Sequence, residues 1–130
     1  MPLLGFKKRF APMVEAGLMT PPPPGVKIKR QTIRVKRCDG RNPRPGETLY
    51  LYVGLRTPQC RKLGESICKS VEEITIDWLG ANVSGMWLTS EECEALAIAD
   101  GFLDFREMKE FFDKTHGDLD HGFWGLLIKW

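Results

Sequence analysis

Phe6, Phe10, Met13, Val14 and Leu18 recur at helical spacing, which predicts an amphipathic helix over residues 6–18. Pro12 suits a first turn better than a helix middle, so the regular part is expected to begin near Ala11, with Gly17 as its stop. The run TPPPPG, residues 20–25, can form neither helix nor central strand and predicts an extended polyproline connector. Apolar and polar residues alternate over QTIRV, 31–35, which predicts a strand. NPRPGET, 42–48, carries turn chemistry and leads into the strand candidate TLYLYVGL.

A polar loop is expected over 57–65, then a strand interrupted by charges in SICKSVEEITID and a glycine-punctuated hairpin in WLGANVSGMWL. Thr89-x-x-Glu92 forms a capping box ahead of ECEALAIA, and Asp104-x-x-Glu107 resembles one ahead of REMKEFFDK. The tight turn Asp100-Gly101-Phe102 separates these two helices, and FWGLLIKW closes the pattern with a β-prone segment. Strands outnumber helices, without βαβ alternation or internal repeat. The pattern predicts an α+β fold, a small barrel-like sheet flanked by helices, with residues 1–130 as a single domain and a proline-rich loop insertion at about 18–28.

Composition narrows the function classes. A chain of 130 residues buries roughly two-thirds of its unfolded surface, enough for a core without staples. No apolar stretch approaches the roughly 20 residues that span a bilayer, and MPLLGFKKRF lacks the layout of a signal peptide. A cytoplasmic location without membrane contact is expected, and with it free thiols at Cys38, Cys60, Cys68 and Cys93. These cysteines contain no CxxC pair, and His116 and His121 stand five apart in a glycine-rich loop, so neither a metal nor a cofactor is expected.

The net charge of +2 conceals a division: residues 1–65 carry +10 and residues 66–130 carry −8. Such a split fits a basic half that binds a large anion, nucleic acid above all; it fits equally two halves neutralising each other within one compact domain. The basic segment 27–44 holds eight Lys or Arg against one Asp. Lys27, Arg30, Arg34, Lys36, Arg37 and Arg56 are the candidate phosphate contacts. On a strand, Thr32 and Arg34 share a face, and Lys29 in the preceding loop can turn back toward Thr32. A lysine beside a hydroxyl can act as a base that activates it when burial lowers its pKa, or can bind phosphate beside Arg34 when charged. Asp100 either caps its own turn or points into a pocket. Trp78, Trp87, Trp124, Trp130, Tyr50 and Tyr52 are expected mostly in the core, with one exposed ring enough to stack on a base.

In order, FKKRFAPMVEAG, KRQTIR, RPGETLYLYVGLRT, LAIADGFLDFREMKEFF and FWGLLIKW resemble the ASCH domain, a relative of the PUA domains, over nearly the whole chain. The resemblance implies a small β-barrel and RNA binding. Within the group the chain is most similar to small single-domain forms, among them bacterial amidohydrolases acting on acetylated cytidine. The shared residues are Phe6, Arg9 and Phe10, and the signature Lys29-x-x-Thr32-x-Arg34. For that chemistry the resemblance implies Thr32 as nucleophile, Lys29 as its base and Asp100 at the position of a glutamate. Three departures stand out: Lys27 near the usual glycine, the segment LMTPPPPGVKI inserted ahead of the signature, and an acid one methylene shorter at Asp100.

Two functions follow as expectations. The favoured one is an RNA- or nucleotide-binding module with a basic cleft. The alternative is an amidohydrolase that removes an acyl group from a modified pyrimidine nucleoside. A protein partner at the 21–24 proline run is a third possibility for this exposed connector.

Overall fold

The structure is a computed structural model and describes residues 2–130. It is α+β, with strands β1 (Leu3–Phe6), β2 (Gln31–Val35), β3 (Thr48–Val53), β4 (Arg61–Ile67), β5 (Ser70–Ile76), β6 (Ala81–Val83), β7 (Met86–Trp87) and β8 (Phe123–Lys129). Helix α1 (Ala11–Leu18) follows β1, and α2 (Ser90–Ala99) and α3 (Phe105–His116) lie between β7 and β8, with a 3₁₀ turn at Leu119–His121.

The strands form two sheets. One has the order β1-β3-β4, with β1 parallel to β3 and a register shift between Leu51 and Tyr52 where β3 meets β4. The other has the order β2-β8-β5-β6-β7, and all its pairings are antiparallel. The sheets meet at a corner where only Cys68 and Lys69 separate β4 from β5. Cys68 N–H donates to Glu47 O in one sheet, while Lys69 N–H donates to Lys129 O in the other. Among the described residues no backbone ladder joins β1 to β2, so the strands do not close into a barrel. There the Arg34 side chain reaches across, donating through Nη2 to Gly5 O at 2.6 Å.

Alternation explains which faces turn inward. Leu49, Leu51 and Val53 of β3 and Ile74 and Ile76 of β5 are buried, with exposed or half-buried residues between them. Strand β8 has neighbours on both sides and is apolar along its middle, with Leu126, Leu127 and Ile128 in the core. Helix α3 offers Phe105, Met108 and Phe112 at helical spacing to the same core. Helix α2 starts at the predicted capping box, in which Thr89 and Glu92 exchange both bonds. Asp104 caps α3 by accepting from Glu107 N–H at 2.7 Å, but the return bond differs, because Glu107 Oε1 accepts from Leu103 N–H instead.

Three local expectations change. The first residues form a strand rather than the start of the helix, since Leu4 and Phe6 alternate into the core while β1 borrows its hydrogen bonds from β3. The supposed polar loop 57–65 contains most of β4, an edge strand whose sparse burial hides its pattern. Of the four tryptophans only Trp130 is in the core; Trp78, Trp87 and Trp124 are 38%, 64% and 57% exposed. Trp124 points off the outer face of β8, and Trp87 sits on the two-residue edge strand β7.

Candidate functional site

Lys29 lies just ahead of β2, where its N–H donates to Met13 O of α1 at 3.0 Å. Gly17 makes that approach possible, because a Cβ there would lie 2.9 Å from Lys29 O. The side chain then runs inward and is among the largest fully buried ones in the chain. Its ammonium donates to Asp100 O and stands 3.2 Å from Asp100 Oδ1.

Asp100 terminates α2, with its N–H on Leu96 O at 3.0 Å. Gly101 closes the turn at φ +100°, a left-handed conformation that favours glycine, and a Cβ there would lie 2.8 Å from Phe10 Cδ1. The turn is therefore pressed against α1, and the carboxylate faces inward rather than capping its own backbone. Gln31 Nε2 adds a 3.4 Å hydrogen bond to Asp100 Oδ1.

Thr32 and Arg34 do share a face of β2. Arg34 Nε donates to Thr32 Oγ1 at 3.0 Å, and the same guanidinium lies over the Phe6 ring at 4.9 Å. Lys29, Thr32, Arg34 and Asp100 line one cavity of about 210 Å³, walled by Phe6, Phe10, Phe102 and Phe111, with His116 also in the lining. A larger hollow of about 730 Å³ shares Arg34 and Val35 with this cavity as lining residues. The smaller cavity holds the buried chemistry.

Burial governs the electrostatics of this cavity. It pushes the Lys29 ammonium below the ordinary lysine value, against the pull of the Asp100 charge. The same desolvation raises the Asp100 carboxyl, opposed by Lys29, Gln31 and Arg34. Desolvation likewise lowers Arg34. His116 is lowered by partial burial and by the charges of Arg34 and Lys7, and its ring stacks on Phe112 at 5.3 Å. The cavity therefore joins a cation and an anion that each lean toward neutrality, a hydroxyl whose oxygen accepts from a guanidinium, and flat aromatic walls. Such a lining can pair with a polar planar ring through both donors and acceptors.

The remaining candidates separate. Arg37 and Arg56 line the larger hollow with Arg34. Lys27 donates to Phe102 O at 2.6 Å and Arg30 to Gly17 O at 2.9 Å, and both face a third hollow together with Lys69 and Lys129. Lys36 pairs with Glu73 at 3.0 Å beside Trp124. Gln31, His116 and the Gly5 carbonyl belong to the arrangement but carry no sequence signal of their own. Arg41 and Arg44 lie within the basic segment, and only the loop geometry singles them out. Among the described residues no three His, Cys, Asp or Glu side chains group as a metal site, and no helix is long and apolar enough to cross a membrane. No family model, curated protein or solved structure matches the chain.

Proposed function

We propose that the chain is an ASCH-type, PUA-like module that binds a base of RNA or of a modified nucleoside in the cavity of Lys29, Thr32, Arg34 and Asp100. The observation that carries this is the burial of Lys29, Thr32 and Asp100, with half-buried Arg34, around one aromatic-walled hollow of about 210 Å³. Burying a lysine–aspartate pair costs free energy that hydrophobic residues would not, and its position at a cavity wall gives that cost a ligand-directed purpose. The volume lies below the roughly 300–1,000 Å³ of sites for drug-sized ligands. It suits a single ring with its substituents. The order of strands and the shared corner at Cys68 and Lys69 support the barrel-type reading, with Arg34 in the place of the missing ladder.

Amide hydrolysis is the second reading, and the lowered Lys29 favours it, because a neutral amine can take a proton. In that step Thr32 Oγ attacks the acyl carbonyl, and the C–N bond breaks as the base's amino group leaves with the proton. Water then hydrolyses the ester, releasing the carboxylate and restoring the hydroxyl. Against it, Lys29 is engaged with Asp100, and the Thr32 hydroxyl accepts from Arg34.

Calorimetric titration of nucleosides and their N-acyl forms separates the readings, with Thr32→Val as the shape-preserving control. Binding without turnover, weakened in Thr32→Val at unchanged melting temperature, is the expected result. Turnover lost in Thr32→Val and retained in Thr32→Ser would establish the hydrolase. Neither nucleoside nor RNA binding by the wild type would refute both.

A further inference from the structure

We infer that the larger hollow beside Arg34 is a track for the sugar–phosphate backbone of a single-stranded nucleic acid. This rests on the base-binding reading above and extends it from an isolated nucleoside to a strand that continues past the cavity.

The hollow measures about 730 Å³ and its lining includes Arg34, Arg37, Arg41, Arg44 and Arg56 with one acid, Glu47. Among the described residues the guanidinium groups of Arg41, Arg44 and Arg56 make no hydrogen bond or ion pair with protein. Of the arginines in the hollow Arg37 is paired, with Asp39 at 2.8 Å, as Arg9 is with Glu107 at 2.8 Å and Arg61 with Glu15 at 3.0 Å elsewhere on the surface. Arg41, Arg44 and Arg56 are left without such a partner among the described residues. Unneutralised arginines gathered in one concavity repel each other and attract anions, and their planar forks match phosphate oxygens.

The loop that carries them is ordered by other groups. Asn42 Oδ1 accepts from Arg37 N–H at 2.7 Å, and Asp39 Oδ1 from Arg41 N–H at 3.0 Å. Glu47 Oε1 accepts from Arg44 N–H at 2.7 Å, so the single acid of the hollow is already engaged. The loop is thus held in shape while Arg41 and Arg44 stay free.

Arg34 joins the two spaces. It contacts Thr32 in the small cavity and lines the large hollow as well. A base reaching the cavity must leave any stack, which a single strand allows at little cost. Its flanking phosphates then meet Arg37, Arg41 and Arg44 on the connection between β2 and β3, and Arg56 beyond β3, more cation than one phosphate needs.

The test is fluorescence anisotropy with a dye-labelled six-nucleotide RNA, comparing the full chain with Arg41→Gln/Arg44→Gln/Arg56→Gln. All three positions are exposed, and near-ultraviolet circular dichroism checks that the fold is unchanged. Each lost phosphate contact removes about 0.7 from the salt slope of single-strand binding. Between 50 and 200 mM salt the wild type should therefore lose roughly 15- to 20-fold more affinity than the triple variant. An unchanged slope in the variant would overturn the inference, as would no RNA binding at 50 mM. Equal binding of a duplex, or of a polyglutamate of matched charge, would also overturn it. If Thr32→Val leaves the oligonucleotide affinity intact while the arginine variant weakens it, the track stands and the base-pocket reading falls.

Discussion

Replacing Lys29 by methionine removes the ammonium but keeps most of the buried stem, leaving Asp100 inside with only Gln31 and Arg34 to offset its charge. The carboxyl then folds at least partly protonated. In the unfolded chain it ionises near the ordinary aspartate value of 3.8. Taking up a proton at pH 7 against that value costs about 1.36 kcal/mol per pH unit, so at most about 4 kcal/mol. Residual support from Gln31 and Arg34 lowers the expected loss to about 2–4 kcal/mol, in line with breaking a buried pair. The sign follows from the raised folded-state pKa of Asp100. Stability is greatest below the unfolded value and falls as pH rises through the window between the unfolded and folded values.

Lys29→Met should therefore recover about 1.4 kcal/mol for each unit of acidification from pH 7 toward pH 5. Wild type, which keeps its pair, should show a much weaker trend. Lys29→Met/Asp100→Asn removes the stranded charge and should restore about 2 kcal/mol of the loss at pH 7. The unpaired Asp100 carbonyl keeps the restoration incomplete. Urea unfolding at pH 7, 6 and 5 measures all three proteins. A pH-independent loss in Lys29→Met, or a double variant no more stable than the single one, would refute the idea that a desolvated charge dominates this cavity.

Gly17→Ala places a methyl 2.9 Å from Lys29 O; the overpacking should cost about 1–3 kcal/mol in thermal unfolding and weaken ligand binding by displacing Lys29. Thr89→Ala removes one half of the α2 capping box and should cost about 1 kcal/mol without altering ligand affinity. Arg34→Lys cannot bond Thr32 and Gly5 at once with a planar fork, so it should reduce nucleoside affinity by about 1.5–3 kcal/mol, read by calorimetry.

Much of the local structure was legible because it repeats with a period. QTIRV, TLYLYVGL and the closing FWGLLIKW alternate or run apolar, and they became β2, β3 and β8. Thr89 and Glu92 declare the start of α2 through chemistry confined to four residues. Strands β1 and β4 were hidden because their reason for being strands lies elsewhere, in the backbone of β3. The gathering of Lys29, Thr32 and Asp100 was foreseen only through the family resemblance, since no local spacing links residue 100 to residue 29. Basic composition marked residues 27–44 as anion-facing, yet it could not divide them. Folding turns Lys27 and Arg30 to a different side from Arg37 and pairs Lys36 with Glu73.

Strand β8, which lies between β2 and β5 in the five-stranded sheet, is the latest of all to be synthesised. Some fifty residues separate the end of β5 from the end of β8, so at translation speeds of about 5–20 residues per second β5 waits about 3–10 seconds for its neighbour, and β2, completed earlier, waits longer still. During that interval β2 and β5 each present an open edge to the crowded nascent environment. Glu72 and Glu73 on β5, and Arg34 on β2 with Lys36 and Arg37 just beyond it, put charge on those waiting strands. These charges thereby guard the exposed edges against premature association before the sheet is whole.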